Sequence, residues 1–353
     1  MKIIHYLYSL LFTITVALCQ EPYHLQTIYG STTITEPILI ELIHSAPMQR
    51  LKQVNQYGIC YVIEPIEKYK CSRFDHSLGV LFLLRHFNAS LDEQVFGLLH
   101  DVSHTAFSHV ADYIFKTTTD KYSYQDLIFD WYIKETGICD ILQKHGFEHI
   151  ADEQTRTQFV MLKDDLPNLC ADRIEYNLYG AYLEGWVTQQ EILDIIEHLE
   201  YKNKTFAFDS IEHARMFAQC TIELTRQIWC ADWNCFLYQE MAYLLRYAFD
   251  HQIIDYDDLH FSVDQEVWKK LQNSQDSTIH EKINTIKNFR SSFIAGSSDN
   301  YDVTIPAKKF RGVDPLVYYK GSIVQLSQVD AGFKDYFQQT KKSVTQPFFL
   351  RYT

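Results

Sequence analysis

The sequence predicts a mainly α-helical protein, in which a helical bundle carries a small mixed α/β appendage at its C-terminal end. From about residue 38 to residue 249, apolar side chains recur at three- and four-residue spacings, the period of an amphipathic helix. After about residue 259 this pattern loosens into a turn-rich stretch, SSFIAGSSDNYDVTIPAKKF, followed by strand-like alternation of Val, Ile and Tyr. These two patterns favour one helical core followed by a smaller mixed unit.

The expected limits of these units follow from the same patterns. Only 8 prolines and 12 glycines occur in 353 residues, and no stretch has the composition of a linker, a repeat or a low-complexity tract. We therefore expect a leader over residues 1–19, a helical core over 20–250 and the appendage over 251–353.

The first residues resemble a secretory signal peptide. Lys2 precedes a short apolar run, and small residues, Ala17 and Cys19, occupy the positions that determine cleavage. An apolar N-terminal helix and a membrane anchor are the alternatives, but the run is short for a membrane span. We expect a secreted or extracytoplasmic protein, without a stable membrane span once the leader is removed.

Charge excludes one broad class of partner. The formal net charge is −13 and the pI is about 5.6, whereas a general nucleic-acid surface needs a basic footprint. Hydrophobic residues make up 46% of the chain, enough to fill a sizeable core. An anionic ligand would therefore have to meet a local basic pocket.

Polar side chains cluster behind an apolar run in the stretch FGLLHDVSHTAFSHVADYIF, residues 96–115. Imidazoles and carboxylates are costly to bury without partners, so something has to compensate this cluster. If the stretch is one helix, His104 lies one turn beyond His100 and on nearly the same face, beside Asp101. The spacing predicts that these three side chains converge.

Two other segments predicted to be helical offer further ligands for a cation. His76 begins an apolar helix in CSRFDHSLGVLFLLRHF, and Asp172 lies in NLCADRIEYNLYG. With His100 and Asp101 they give two nitrogens and two carboxylates, a set that suits one divalent ion: manganese, iron, zinc, nickel or magnesium. Hydrogen-bonded core histidines are the alternative interpretation, and we interpret His86 as a residue of the helix surface.

Four blocks of the sequence resemble the HD-domain phosphohydrolases. In family order they are PMQRLKQVNQYG, SRFDHSLGV, LLHDVSHTAFSHVAD and CADRIEYNLYGAYLEG, over about residues 36–185. In detail they are most similar to the deoxynucleoside triphosphate triphosphohydrolase branch, and FRGVDPLV in the appendage also resembles that family. The resemblance implies hydrolysis of a dNTP to deoxynucleoside and triphosphate, with a nucleotide as partner and association with copies of itself.

The resemblance also implies a role for each matching residue. His76, His100, Asp101 and Asp172 would be the metal ligands, and His104 and Asp112 the acid–base pair, in which Asp112 orients His104. The implied substrate-binding residues are two cations for phosphate, a glutamine for the sugar and an aromatic beside it: Arg73, Arg173, Gln56 and Tyr176. His109 matches a family histidine that we interpret as structural.

Four departures from the family pattern bear on these expectations. The family has a His-Glu dipeptide after the HD block, whereas this chain has Tyr124, Gln125 and Asp126. The other changes are Thr105-Ala106 for Gly-Pro, Tyr179-Gly180 for Arg-Asp, and Tyr57 for a smaller aliphatic residue. None of them changes a predicted metal ligand.

Several other functions remain open from the sequence. The missing histidine favours a nucleotide-binding protein with impaired catalysis, and membership of the superfamily alone allows a phosphodiesterase or phosphatase acting on another phosphoester. A diiron oxygenase would need further histidine ligands, and a purely structural helical protein would need no metal.

Overall fold

A computed structural model describes residues 21–64, 70–115, 123–306 and 309–353. Across these residues the protein is mainly helical, with short strands near both ends and in the middle of the chain. The expected helical bundle with a small mixed α/β appendage is confirmed. The expected leader lies outside the described residues, and the domain limits stay predictions.

The described chain begins with a hairpin and three short helices. Strands β1 (Tyr23–Thr27) and β2 (Gly30–Ile34) pair antiparallel. Helix α1 (Pro37–His44) follows, with proline at a first-turn position where its missing N–H is not needed. Helices α2 (Ala46–Arg50) and α3 (Cys60–Ile63) come next in the chain.

Two packed helices form the base of the site. Helix α4 (Arg73–His86) is buried on nearly every side, which explains its apolar sequence, and helix α5 (Leu91–Leu99) packs along it. The side-chain oxygens of Ser72 and Ser90 cap these helices by accepting N–H groups of the first turn.

The stretch that we interpreted as one helix contains a break. Helix α5 ends at Leu99 and the next helix begins at Val110, so the residues between them form turns. Phe107 and Ser108 both have left-handed backbone angles, with φ of 61° and 55°. The chain leaves the helix before His104, so His104 meets Asp101 through the turns that follow Leu99 and not through helical periodicity.

The later helices surround this base. Within the described residues they are α6 (Val110–Ile114), α7 (Tyr124–Glu135), α8 (Ile138–Lys144), α9 (Glu153–Arg156), α10 (Ala171–Leu183), α11 (Gln189–Glu197), α12 (Ile211–Leu224), α13 (Asp232–Asp250), α14 (Tyr256–His260), α15 (Asp264–Gln272), α16 (Ser277–Lys287), α17 (Leu326–Val329) and α18 (Ala331–Val344). A π-helical turn, Thr225–Trp229, separates α12 from α13.

Short strands tie the appendage to the helical core. The strands after β2 are β3 (Leu199–Lys202), β4 (Thr205–Phe208), β5 (Phe293–Ala295), β6 (Val303–Ile305), β7 (Leu316–Tyr319), β8 (Ser322–Gln325) and β9 (Phe348–Tyr352). One sheet has the order β3-β4-β7-β8, with Phe208 of β4 paired parallel to Val317 of β7. This sheet therefore joins the two expected units. A second sheet has the order β5-β9-β6.

In the described part of the chain, no helix combines the length and the apolar character that a membrane span requires.

Candidate metal centre

Two imidazoles meet at the base of the site. His76 comes from the first turn of α4 and His100 follows the last residue of α5, and their Nε2 atoms lie 3.2 Å apart. Both side chains are almost completely buried. The packing of α4 against α5 therefore brings two predicted ligands together.

Two carboxylates complete the group. Asp172, in the first turn of α10, has Oδ1 3.2 Å from His76 Nε2 and 3.7 Å from His100 Nε2. Asp101 oxygens lie 3.5 Å from His100 Nε2 and 3.6 Å from His76 Nε2. Ligand bonds of roughly 2.0–2.2 Å place the donor atoms of one ion about 3.0–3.5 Å apart, so this spacing fits a single divalent metal.

The hydrogen bonds of the two histidines fix which nitrogen is free. His76 Nδ1 faces a carboxylate of Glu175, and His100 Nδ1 lies 2.7 Å from the carbonyl oxygen of Gly97. Both of these partners only accept hydrogen bonds, so each Nδ1 carries the hydrogen and each Nε2 presents a lone pair. Two lone pairs that face each other at this distance need a cation between them.

Charge points to the same conclusion. Burial lowers the pKa of His76, but the carboxylates of Glu175, Asp172 and Asp101 outweigh this effect and raise that pKa to about 10. The group thus attracts a positive charge strongly, and a divalent ion supplies that charge in place of a proton. The donor set and its electrostatics both fit a metal.

Glu175 is a site residue that the sequence interpretation missed. It lies one helical turn after Asp172 on α10, is almost completely buried, and also accepts a hydrogen bond from Tyr29 Oη at 3.4 Å. Gly79 makes room for it, because a Cβ at that position would lie 2.5 Å from Glu175 Oε1. The Asp-x-x-Glu spacing on a helix was the available signal.

Arg73 holds Asp101 in place. Its Nη1 donates to Asp101 Oδ2 at 2.5 Å and its Nε donates to Ser108 Oγ at 2.7 Å. Burial raises the pKa of Asp101, but Arg73 and the nearby histidines hold it well below the usual range. Arg73 also borders a cavity beside these residues, yet much of its hydrogen-bonding capacity is used within the protein.

The expected pairing of Asp112 with His104 is corrected by the structure. Asp112 Oδ2 accepts from His109 Nδ1 at 2.9 Å, and its Oδ1 accepts from the backbone N–H of Tyr124 at 2.7 Å. His104 instead has its Nε2 3.4 Å from Asp101 Oδ1, and its ring meets that of His109 edge-to-face. The reason is local: His109 and Asp112 lie on one short turn of helix.

His104 and His109, the two histidines on this side of the site, differ in burial. Burial and Arg73 lower the pKa of His104 to about 3, although Asp101 opposes this shift. His104 is therefore a neutral imidazole at physiological pH. His109 is half-buried and borders the cavity, so its ring is accessible to solvent, whereas that of His104 is not.

A cavity of about 480 Å³ opens above the four ligands. Gln56 and Tyr176, both predicted to bind substrate, line it, and Trp229 lines the same cavity. Among the described residues, neither Gln56 Oε1 nor Trp229 Nε1 has a hydrogen-bond partner, although both atoms are buried. An unpaired buried acceptor and donor indicate a place for a polar ligand.

The sequence predicted that Arg173 binds phosphate, but its side chain does not line this cavity. Its guanidinium donates to the main-chain oxygens of Asp164, at 3.0 Å, and Asn168. These carbonyls belong to the turn before α10 and capture the side chain locally. Lys163, Lys309 and Arg311 line the cavity instead, and sequence reasoning missed all three.

Two of the departures from the family pattern compensate each other. Tyr57 is almost completely buried beside Trp229, with ring centroids 5.4 Å apart. A Cβ on Gly180 would lie 3.3 Å from Tyr57 Oη, so the glycine leaves space for the larger ring. The Tyr57 ring therefore packs in the core and does not line the cavity.

A second group of His and Asp side chains lies apart from this centre. His213 Nε2 is 2.9 Å from Asp194 Oδ2, His198 Nδ1 is 2.7 Å from Asp209 Oδ1, and the imidazoles stack at 3.9 Å with 24° between their planes. Imidazole lone pairs lie in the ring plane, so nearly parallel rings cannot both direct them at one ion. We interpret this group as a pair of surface His–Asp hydrogen bonds.

Comparisons with known proteins agree with the geometry. A family model described as the HD domain matches residues 73–169. Uncharacterized protein YdhJ of Bacillus subtilis (strain 168) is 33% identical over 330 residues, which cover 90% of this chain and 96% of that protein. The chain belongs to the HD-domain superfamily of metal-dependent phosphohydrolases.

Other matches differ in extent. Metal-dependent phosphohydrolase cns2 of Cordyceps militaris is 27% identical over 83% of this chain and 84% of its own length. Deoxynucleoside triphosphate triphosphohydrolase SAMHD1 of Danio rerio is 28% identical over 31% of this chain and 21% of its own length. The crystal structure of a phosphohydrolase from Bacteroides thetaiotaomicron VPI-5482 superposes with a TM-score of 0.73 at 16% identity, covering 94% of this chain and 99% of that one, a likeness of fold.

Proposed function

We propose that this metal-dependent hydrolase acts on nucleotides and converts a dNTP to a deoxynucleoside and triphosphate. The observation that carries the proposal is one cavity in which four converging ligands meet Gln56, Tyr176 and Trp229. The partial similarity to the dNTP triphosphohydrolase supports the choice of nucleotide. The metal would be one divalent ion held by His76, His100, Asp101 and Asp172.

The residues of the chain have distinct tasks in this reaction. When bound, the metal supplies a water of lowered pKa and neutralises negative charge on the phosphate. Arg73 keeps Asp101 ionised and oriented, and the Nδ1 hydrogen bonds of His76 and His100 keep their Nε2 atoms available as ligands. These contacts exist before substrate arrives, so little reorganisation is needed.

Proton transfer is assigned to the side of the cavity beside Asp101. Neutral His104 lies there with its Nε2 facing Asp101, and its ring packs edge-to-face against the ring of His109, which is hydrogen-bonded to Asp112. His109, oriented by Asp112, exchanges the proton with solvent. His109 and Asp112 thus carry the proton, and neutral His104 supports the His109 ring by packing against it.

The rest of the cavity would hold the nucleotide. Gln56 Oε1 accepts from a sugar hydroxyl, and the Tyr176 and Trp229 rings enclose the sugar and base. Lys309 and Arg311 are exposed on the cavity wall and would neutralise the phosphate tail.

A second substrate class is favoured by the position of Arg173. Because this guanidinium is bound to carbonyl oxygens of Asp164 and Asn168, one cation expected for a triphosphate tail does not reach the cavity. A shorter substrate, such as a nucleoside monophosphate, needs fewer cations. Hydrolysis of another phosphoester is therefore the alternative.

The deciding experiment measures phosphate and triphosphate release from dNTPs, NTPs, nucleoside monophosphates and cyclic nucleotides with added manganese. Asp101→Asn removes a ligand, and Asp250→Asn, an exposed aspartate on α13, is the matched control. We expect triphosphate release that is lost with Asp101→Asn and kept with Asp250→Asn. Release from monophosphates alone would move the assignment to the shorter substrates, and bound metal without any turnover would favour a nucleotide-binding protein.

We also propose that the protein is exported, on the basis of the sequence of residues 1–19. Expression of the full chain in a secreting host, followed by N-terminal sequencing, should find mature protein outside the cell that begins near residue 20. A full-length protein retained in the cell would contradict this.

A further inference from the structure

Lys163 lies at the edge of the metal centre without an assigned role. It precedes α10 and lines the cavity together with His104 and Asp172. Its Nζ donates to Asp126 Oδ1 at 2.9 Å, while 42% of its side chain stays exposed. The ammonium is thus held at one point and still accessible to a ligand.

Asp126 is itself firmly placed. Its Oδ2 accepts from the N–H and the hydroxyl of Ser123 at 3.0 and 2.7 Å, which closes the capping box at the start of α7. Its Oδ1 also accepts from Gln125 Nε2 at 2.9 Å, and Gln125 accepts from Ser103 Oγ at 2.9 Å. A chain of hydrogen bonds therefore orients Lys163 from a rigid helix end.

The surroundings keep Lys163 charged. Partial burial lowers its pKa, but the carboxylates of Asp126, Asp172 and Asp101 outweigh this and raise it. Two of these carboxylates belong to the metal centre, so the ammonium lies within electrostatic reach of a group bound there. Such a lysine can hold an anion but does not take up a proton.

The other cations near the centre are bound within the protein or are already assigned to the phosphate tail. Arg73 is bound to Asp101 and Ser108, and Arg173 to main-chain oxygens. Lys309 and Arg311 line the same cavity and are assigned above to the phosphate tail, and Arg311 is close enough to Tyr176 to oppose the rise of its pKa that burial causes. We propose that Lys163, oriented by Asp126, holds the non-bridging oxygens of the phosphate under attack. This rests on the proposed function, because it requires a phosphate at the metal centre.

The test compares Lys163→Ala, Lys163→Arg and Asp126→Asn with Lys144→Ala. Lys144 is the matched control, because its Nζ also pairs with one carboxylate, Glu41 at 2.7 Å, but 63% of it is exposed away from the cavity. Two quantities are measured on the manganese-loaded proteins: KM and kcat for the substrate that the wild type hydrolyses, and calorimetric binding of inorganic phosphate. Metal content and thermal unfolding are recorded for each variant.

Losing one charge-assisted contact should raise KM by roughly 10- to 100-fold for Lys163→Ala, with kcat changed much less. The affinity for phosphate should fall by a similar factor in Lys163→Ala. Lys163→Arg should have nearly the KM and phosphate affinity of the wild type, and the values for Asp126→Asn should lie between those of the wild type and Lys163→Ala. Lys144→Ala should match the wild type. Unchanged KM and phosphate affinity in Lys163→Ala, with metal content intact, would overturn the inference.

The proposed function can fail separately. If the wild type hydrolyses none of the nucleotides but phosphate affinity still drops in Lys163→Ala, the phosphate contact stands and the nucleotide substrate is wrong. If the wild type does not bind phosphate, the inference is wrong.

Discussion

The side chain of His76 is hydrogen-bonded through Nδ1 to Glu175, although the two residues lie on different helices and 99 positions apart. This bond leaves Nε2 to face the other ligands. Replacing Glu175 by Gln removes the negative charge that fixes this tautomer, so metal affinity should fall by roughly 10- to 100-fold. Titration of the chelator-treated protein with manganese measures the affinity.

Glu197→Gln is the control, since Glu197 is an exposed residue at the end of α11. It should bind manganese as the wild type does. Equal affinities for the wild type and Glu175→Gln would show that Glu175 does not support the ligand.

Gly79→Ala tests the space that Glu175 occupies. The new Cβ would lie 2.5 Å from Glu175 Oε1 and 2.8 Å from its Cγ, so the carboxylate must move off His76. Overpacking of this kind costs about 1–3 kcal/mol of unfolding free energy, partly offset by the better helix propensity of alanine. We expect weaker metal binding together with a lower unfolding temperature.

Gly332→Ala in α18 is the matched change, because its nearest neighbour would be 3.6 Å away. It should leave metal affinity untouched. Wild-type affinity in Gly79→Ala would mean that the carboxylate can shift without releasing His76.

A double-mutant cycle tests the pairing of Asp112 with His109. If Asp112 acts through His109, Asp112→Asn and His109→Gln should reduce kcat/KM by similar factors, and the double variant should be little worse than either. The coupling energy should lie in the range of about 0.5–3 kcal/mol seen for residues in contact. Independent effects on kcat/KM would indicate that Asp112 works through another group.

Arg311 and Arg173 should affect different quantities. Arg311→Ala removes an exposed cation of the cavity, so KM for a nucleotide should rise with little change in stability. Arg173→Ala removes two hydrogen bonds to main-chain oxygens that water can still reach, which should lower the unfolding free energy by about 1 kcal/mol, while KM should change little. Steady-state kinetics and urea unfolding of both variants separate these effects. A larger rise of KM in Arg173→Ala would show that this side chain turns into the cavity when substrate binds.

Asp264 should make stability depend on pH. Burial raises its pKa to about 7, against the backbone N–H groups of Phe107 and Asn55 and the charges of Arg50 and Arg73. Because the folded state holds this proton more tightly than the unfolded state, stability should fall as pH rises from about 4 to about 7, by up to about 4 kcal/mol. The asparagine of Asp264→Asn does not titrate, so the stability of this variant should lack this pH dependence.

The measurement is the difference in unfolding free energy between Asp264→Asn and the wild type in metal-free buffer from pH 5 to pH 8. The unfolding free energy of Asp264→Asn should increase relative to that of the wild type as pH rises. A constant difference would mean that the Asp264 carboxyl ionises near its usual pKa.

The four predicted metal ligands could be picked out because each lies in a compact motif on a helix or directly after one. His76, His100, Asp101 and Asp172 are all brought together, and the positions of α4, α5 and α10 explain why. The catalytic and substrate-binding roles of the other residues stay predictions. These four residues could be selected from the sequence without knowing the path of the turns between them.

Other features depend on backbone paths that periodicity does not reveal. The helix expected across His104 already ends at Leu99, and the turns that follow it include two left-handed residues, Phe107 and Ser108. Asp264 holds this turn by accepting the N–H of Phe107 at 2.8 Å. The partner of Arg173 depends on the direction of carbonyls in a turn. Lys163 and Arg311 belong to irregular segments, where no regular spacing points to a site.

The left-handed turn has a wider consequence for how this protein can be divided. Asp264 also accepts the N–H of Asn55 at 2.9 Å, so one carboxylate joins the segment before Gln56 to the segment after His104. Both Asp264 and Asp172 lie outside residues 73–169, the part that matches the HD family model. A fragment limited to that match would lack a predicted metal ligand and the carboxylate that holds its own turn, so we expect a fragment that binds metal to extend at least from Asn55 to Asp264.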